Sequence, residues 1–476
     1  MTLVRFITPL DAKAIVAHGW GALRLLAVIL IPPALVALLA GELTSTLIFA
    51  GLSGAVFVAG RRLAPAELPE LETREAVILT VVMYLVFSGV GALAFLPVAT
   101  PLDGLFESVS GFTTTGLSVL DVETLPRSLL FFRSYAQWIG GAGISVLSLV
   151  VLAGPGQAAF RMYASEFGRE NLVGSVVATT RIVMKIYLML TVVGWMAFVA
   201  TGMSPFDGLL HVLSTVSTGG FSPHPESMAT HAGAATRLVV MLFMLLGATA
   251  LPLYHGSRRA LGNVARDPQA RALVTIVLAA TVLGLAYSGW SGWALLPGAF
   301  HTVSAVTTTG FTVTTSGTWP DGVRLLAMLL MFIGGSVGST AGGIKLLRLI
   351  LLLKLCGWLL VRASLPSEAR TPLKYRGAVV ADVELKYVFG FVGLYLAAAV
   401  GSSIALTLAG FPSRDALFES LSALGTVGLS AGVTSSHLAS WAKLLLCFDM
   451  LAGRLEILPL LLLVVPYSWR GRRRRA

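Results

Sequence analysis

Charge is what this sequence is shortest of. Only 12% of its 476 residues are Asp, Glu, Lys or Arg, against 56% apolar, and mean hydropathy is +0.84. A soluble core of this size would need far more charge to cover its surface, so a water-soluble globular protein is excluded. Cysteine is nearly absent: Cys356 and Cys447 lie far apart in apolar stretches and read as packing residues, with no disulfide framework or metal site. Seven scattered histidines show no ligand spacing. No P-loop occurs, nor a Gly-x-Gly-x-x-Gly after a strand, so nothing marks a nucleotide site. A secretory signal is also missing, because the first apolar run is too long and no small-x-small cleavage site follows it.

What is present is a set of apolar runs long enough to cross a bilayer core, which takes about 17–25 residues. Ten are placed from the sequence: 25–40 and 45–60, then the pairs 76–96 with 129–152, 186–200 with 238–253, 273–287 with 325–353, and 388–408 with 444–465. The run at 186–200 is short, so its helix is expected to begin a turn or more earlier.

Each pair encloses one copy of a short pattern: Thr, any residue, Gly, then Leu or Phe, then Ser or Thr. The copies start at Thr114-Thr115-Gly116, Thr218-Gly219-Gly220, Thr308-Thr309-Gly310 and Thr426-Val427-Gly428. A serine stands six residues before each glycine (Ser110, Ser214, Ser304, Ser422), and a large apolar residue ten before (Phe106, Leu210, Phe300, Phe418). Thr-x-Gly alone is common. Four gap-free copies argue for four units of one kind around an axis, against the alternative of tight turns packed among helices. The expected fold is an all-α integral membrane protein with ten transmembrane helices and four re-entrant pore loops, arranged as fourfold pseudo-symmetric helix–pore loop–helix repeats. Its expected divisions are a two-helix N-terminal membrane domain (1–68), pore repeats at 69–160, 161–265 and 266–375, and a fourth repeat with a basic tail (376–476).

Basic residues collect in short cytoplasmic loops. Here they collect between repeats: Arg61, Arg62 and Arg74; Arg161, Arg169, Arg181 and Lys185; Arg258, Arg259, Arg266 and Arg271; Arg362, Arg370, Lys374 and Arg376; and five arginines in 470–475. The motif loops carry few, such as Arg127 and Arg414, against Asp103, Asp121, Glu123, Asp207, Asp321 and Asp415. The motifs are therefore expected to face outward and both termini the cytoplasm. This accounts for most of the net charge of +11 without a nucleic-acid partner. Anionic membrane lipid or an acidic partner remains open for some arginines.

The connecting segments begin with turn signals at Pro101, Pro205, Pro297 and Pro412, which suit the first turn of a helix. About ten mostly apolar residues follow, too few to span, so the chain must re-enter where protein or water covers its backbone. The inward C-terminal end of such a helix favours a cation. A dehydrated cation needs a ring of carbonyl or hydroxyl oxygens. Glycine permits the torsions this takes. No carboxylate lies within any motif, which points to a monovalent ion over a hard divalent one. Glu107, His211, His301 and Glu419 share one aligned position nine residues before the glycines, about 13 Å back along a helix. They are expected to satisfy polar contacts around the outer half of the short helices and not to form a charged ring.

"FESVSGFTTTG" in the first copy, "TVGLS" in the last, "GGSVGSTAGGIK" at 334–345 and "GRLEI" at 453–457 resemble the Trk/Ktr superfamily of microbial potassium transporters, relatives of potassium channels, over nearly the whole chain. The two leading helices and "GRLE" favour a Trk-type membrane subunit, while "GTVGLS" is closer to Ktr-type sequences. The resemblance implies potassium as substrate, a potassium filter at the twelve motif residues named above, no cofactor, and no enzymatic activity. It also implies a homodimer with one pore per chain, a bacterial inner-membrane location, and a cytoplasmic ring of nucleotide-binding (TrkA-like) regulatory subunits. Glycine in all four filters goes with potassium preference in that family. Channel-like flux and sodium- or proton-coupled transport stay open. An alternating-access carrier would not be expected to carry four matching loops, and a voltage-gated channel would need an arginine-periodic helix before each unit.

Glycines at Gly334, Gly335, Gly338, Gly342 and Gly343 interrupt a long apolar run, at about 1 kcal/mol each relative to alanine in a helix. A broken helix whose loop occludes the path inside the filter is the expected gate, with a close-packed glycine face as the alternative. Gly140-Gly141-Ala142-Gly143 is a milder version, and Gly247-Ala248-Thr249 barely one. Arg454, deep in the last run, is costly unless it faces a pathway or partner. The resemblance places it under the filter, opposing the loop. Glu456 and Asp449 are candidate counter-charges, and an Arg454–Glu456 pair that only ties helices is the competing reading. Lys345 either joins the gate or marks the cytoplasmic end.

Overall fold

A computed structural model describes residues 10–65, 67–152, 176–231, 233–255, 260–287, 295–366 and 371–464. The basic residues Arg161, Arg169, Arg258, Arg259, Arg370 and the 470–475 tail lie outside these, as does the division expected at 160/161. The regular structure of the described residues is helical except for a two-stranded antiparallel hairpin, Lys374–Tyr375 with Ala378–Val379.

The lead helices are Ala12–Ile29, continued after a single residue by Ile31–Leu39, and Leu43–Leu63. Pro32 and Pro33 fall in the first turn of the continuation, where a missing N–H costs nothing. Four units follow with one plan. The first arms are Thr73–Ala92, Val176–Ala200, Pro268–Tyr287 and Asp382–Leu408. The second of these starts ten residues before the apolar run at 186–200, as the shortness of that run requires. Each arm leads to a helix of 12 residues: Pro101–Phe112, Pro205–Val216, Leu295–Val306 and Ser413–Leu424. At about 1.5 Å per residue these reach only about 18 Å, so none crosses a bilayer. Thr100 and Ser204 cap two of them, accepting the amides of Asp103 and Asp207.

The second arms differ. Arg127–Leu152 is unbroken. The second repeat's arm, Ala234–Ala248, ends where Thr249 turns extended and resumes as a short 3-10 turn, Leu251–Tyr254. The third is split into Asp321–Ile333 and Leu346–Ala363, and the fourth into Ser440–Leu455 and Ile457–Val464. The break expected at 334–345 is present. The gradation of breaks expected from glycine density is not: the Gly140 cluster stays helical, and the weak signal at Gly247 marks a true break. The divisions expected at 265/266 and 375/376 fall at the last residue of Ala260–Arg266 and inside the hairpin.

Six helices among the described residues are long and apolar enough to cross a membrane. Their outer faces expose large apolar residues, such as Leu278, Val282 and Leu283, a band suited to lipid and costly in water. The centre is filled by the short helices, whose Phe106, Leu210, Phe300 and Phe418 are buried.

Candidate functional site

The four motifs leave their short helices with one backbone signature. The motif's first threonine turns left-handed in every copy: Thr114 (φ 54°), Thr218 (53°), Thr308 (56°) and Thr426 (49°). Its glycine does so again: Gly116 (92°), Gly220 (76°), Gly310 (81°) and Gly428 (90°). A β-branched residue adopts positive φ only where its surroundings hold it. The holding bonds are visible. The amides of Thr115, Gly219, Thr309 and Val427 donate back to the carbonyls of Ser110, Ser214, Ser304 and Ser422 at 2.7–2.9 Å. The Ser110 and Ser422 hydroxyls also accept from the amides of Gly116 and Gly428, at 3.0 and 3.1 Å. The amides thus point into the protein.

The four loops close on one another. A β-carbon on Gly116 would strike the Gly219 carbonyl, one on Gly220 that of Thr309, one on Gly310 that of Val427, and one on Gly428 that of Thr115. Each glycine therefore lies against the carbonyl of the next repeat, and the fourth returns to the first. Eight of the twelve expected residues make these ring contacts: Thr115, Gly116, Gly219, Gly220, Thr309, Gly310, Val427 and Gly428.

The segments that follow the motifs are bonded by the aligned residues nine positions before the glycines, which satisfy polar contacts as expected. Glu107 accepts from the Ser118 hydroxyl and the Val119 amide (2.6 and 2.8 Å), and Glu419 from the Ser430 hydroxyl and the Ala431 amide (2.8 and 3.0 Å). His301 accepts from the Val313 amide at 3.1 Å, and His211 lies 3.3 Å from the Ser222 hydroxyl. Beyond His211, burial and then the neighbouring His224 hold the His231 imidazole below its usual pKa, with Asp207 opposing.

Below the ring lies the loop of residues 334–345. Its Gly342 amide donates to the Thr308 hydroxyl at 2.7 Å, and its Gly343 amide to the Gly425 carbonyl at 3.2 Å. A β-carbon on Gly342 would meet both Gly425 and the Thr426 hydroxyl. The loop thus sits against two of the four inner threonines. Gly334, Gly338 and Gly343 carry it through positive φ, and Gly334 and Gly343 face each other too closely for side chains; Gly335 is wedged against Ala341 and the Ala248 carbonyl. The broken end of the second repeat's arm anchors it: Ser336 donates to Ala248 and Thr340 to Gly247. The alternative of a continuous glycine-packed helix does not hold here.

Arg454 is buried beside this loop, donating to the carbonyls of Thr340 (2.7 Å) and Gly140 (3.1 Å). Neither expected counter-charge bonds to it. Glu456, turned by a positive φ at the helix break, pairs with Arg348 at 2.5 Å. Asp449 stands five residues earlier, about 140° round the helix, and accepts from Ser402 at 2.9 Å. The Arg454–Glu456 tie is likewise not formed. Lys345 donates to the Ala341 carbonyl, and with Arg454 and Gly453 it lines a cavity of about 30 Å³, room for a water or two.

Sequence reasoning missed Gln137 and Arg133. Gln137 clamps the second motif, donating to Gly219 at 2.6 Å and accepting from Phe221 at 3.1 Å. Arg133 bonds Glu107 at 2.9 Å and lies over the Phe221 ring at 4.0 Å. The available signal was polarity within the apolar run 129–152, where each polar residue needs a partner.

The family model for TrkH, described as a cation transport protein, matches residues 48–257 and 276–470. The Trk system potassium uptake protein TrkH of Vibrio parahaemolyticus is 33% identical over 425 residues, 84% of this chain and 87% of that protein. Its counterpart in Escherichia coli is 32% identical over 421 residues, with the same coverage. The crystal structure of the potassium transporter TrkH from Vibrio parahaemolyticus superposes with a TM-score of 0.83 at 30% identity, covering 97% of this chain and 100% of that one.

Proposed function

This chain belongs to the TrkH family of cation transport proteins, and from that premise we propose that it is the potassium-selective uptake pore of a bacterial inner membrane. The observation that carries the reading is the closed ring in which each filter glycine abuts the next repeat's carbonyl. Four carbonyls turned to one axis, with amides bonded away from it, replace a cation's water shell without a carboxylate. The hydroxyls of Thr114 and Thr426 have no hydrogen-bond partner among the described residues and extend that oxygen lining inward.

The loop 334–345 closes the path beneath the ring. Arg454 holds the loop by its Thr340 carbonyl and adds a positive charge that opposes cations there. Lys345 reinforces the loop from below. The motifs face outward and both termini the cytoplasm, where a nucleotide-binding ring of regulatory subunits controls the gate; two such chains form the dimer. No cofactor or catalysis enters this reading.

Purified chain in liposomes, with potassium or sodium as the only permeant cation, tests it. Downhill uptake of potassium well above that of sodium is expected. Equal uptake of both, or none until a second ion gradient is imposed, would replace it with a non-selective or coupled transporter.

A further inference from the structure

The short helices carry an aspartate thirteen residues before the filter glycine in three of the four repeats: Asp103, Asp207 and Asp415. Two of them meet a full cation. Asp103 pairs with Lys443 at 2.5 Å and Asp415 with Arg324 at 2.7 Å. Asp207 meets no lysine or arginine among the described residues. It faces two imidazoles instead, and its carboxylate lies 3.6 Å from the His224 Nε2.

His224 and His231 are seven residues apart on the segment leaving the second filter. One ligand atom from each, with the Asp207 carboxylate, falls within a mutual separation of 4.8 Å. The Nε2 atoms of both histidines are shielded from solvent yet have no hydrogen-bond partner among the described residues. Buried polar atoms are normally satisfied, and two converging on one carboxylate ask for an explanation.

The geometry points to a binding site for a zinc-class divalent transition-metal ion at Asp207, His224 and His231. Two imidazoles and a carboxylate are a donor set that suits zinc, with the fourth position left for water. Metal–ligand distances of about 2.0–2.1 Å put ligand atoms about 3.3 Å apart, so separations now within 4.8 Å close by no more than about 1.5 Å on binding. Hard cations are disfavoured, because they take oxygen ligands. His211 is already engaged: its Nδ1 lies 2.8 Å from the Asp207 carbonyl, and its ring packs on His231 with centroids 5.2 Å apart.

The bound ion would staple the first turn of a short helix to the loop that leaves its own filter. That loop also touches the next filter, through Met228 N donating to Thr312 O at 2.9 Å and Thr312 N donating to the Ser227 hydroxyl at 3.2 Å. The site therefore bridges two filter exits.

Cobalt titration of the purified full-length chain in detergent, followed by zinc competition, reads the site directly. One equivalent per chain is expected, with the intense visible absorption of four-coordinate cobalt and displacement by zinc. His224→Ala and His231→Ala should each weaken cobalt binding at least tenfold, while His18→Ala leaves it unchanged. Metal-free elution and thermal midpoint report folding, and His231→Gln replaces the alanine variant if that one fails to fold. No saturable binding, or binding that survives loss of both histidines, overturns the proposal. Neither result depends on which cation the pore conducts.

Discussion

The Arg454 guanidinium donates to the Thr340 carbonyl at 2.7 Å, so a side chain of the fourth repeat holds the backbone of a loop in the third. A charge-assisted bond of this kind contributes about 1.5–3 kcal/mol, and about 1.4 kcal/mol is tenfold in an equilibrium. Arg454→Ala should therefore raise potassium flux in the absence of any regulatory subunit by about tenfold or more.

The neighbouring ion pair serves as the contrast. Arg348 and Glu456 are partly exposed, at 21% and 39% of their side chains, and such pairs contribute about 0–1 kcal/mol. Glu456→Gln should change flux by less than about fivefold in the same liposome assay. A larger effect than that of Arg454→Ala would move the electrostatic lock from the arginine to the pair.

Removing residues 335–342 tests the loop itself. It deletes the contacts to Thr308 and Ala248 together, and flux without a partner is expected to rise with potassium preference retained. Unchanged flux in a folded variant would leave the loop as packing.

Gln137→Leu keeps the volume and removes both polar contacts. The Gly219 carbonyl and Phe221 amide are then left unpaired, at a cost of about 1–3 kcal/mol each. Potassium-to-sodium selectivity should fall along with the thermal midpoint. Lost stability with selectivity intact would make Gln137 a packing residue only.

The four motif turns were legible because a backbone that must turn left-handed twice within three residues leaves a fixed Thr-x-Gly trace. The break at 334–345 was legible too, but those after Ala248 and Leu455 were not, because glycine has two uses that look alike in a sequence. Gly140 sits inside a helix because a β-carbon there would strike the Phe112 carbonyl, and Gly453 because one would strike that of Leu424. Both are close-approach glycines, standing 24 and 25 residues after their filter glycines. The break after Ala248 depends on partners 88 and 93 residues away, Ser336 and Thr340, which take the freed carbonyls of Ala248 and Gly247. Arg454's partners escaped notice for the same reason: they are backbone carbonyls, which no residue type announces.

The central claim is that the ring of glycines and neighbouring carbonyls selects the ion. The most direct test is the potassium-to-sodium uptake ratio of Gly116→Ser beside the unmodified chain in liposomes. The added β-carbon meets the Gly219 carbonyl in a backbone conformation that serine adopts only under strain. The account predicts a clear fall in that ratio, with sodium uptake rising relative to potassium. An unchanged ratio in a folded, conducting variant would contradict it.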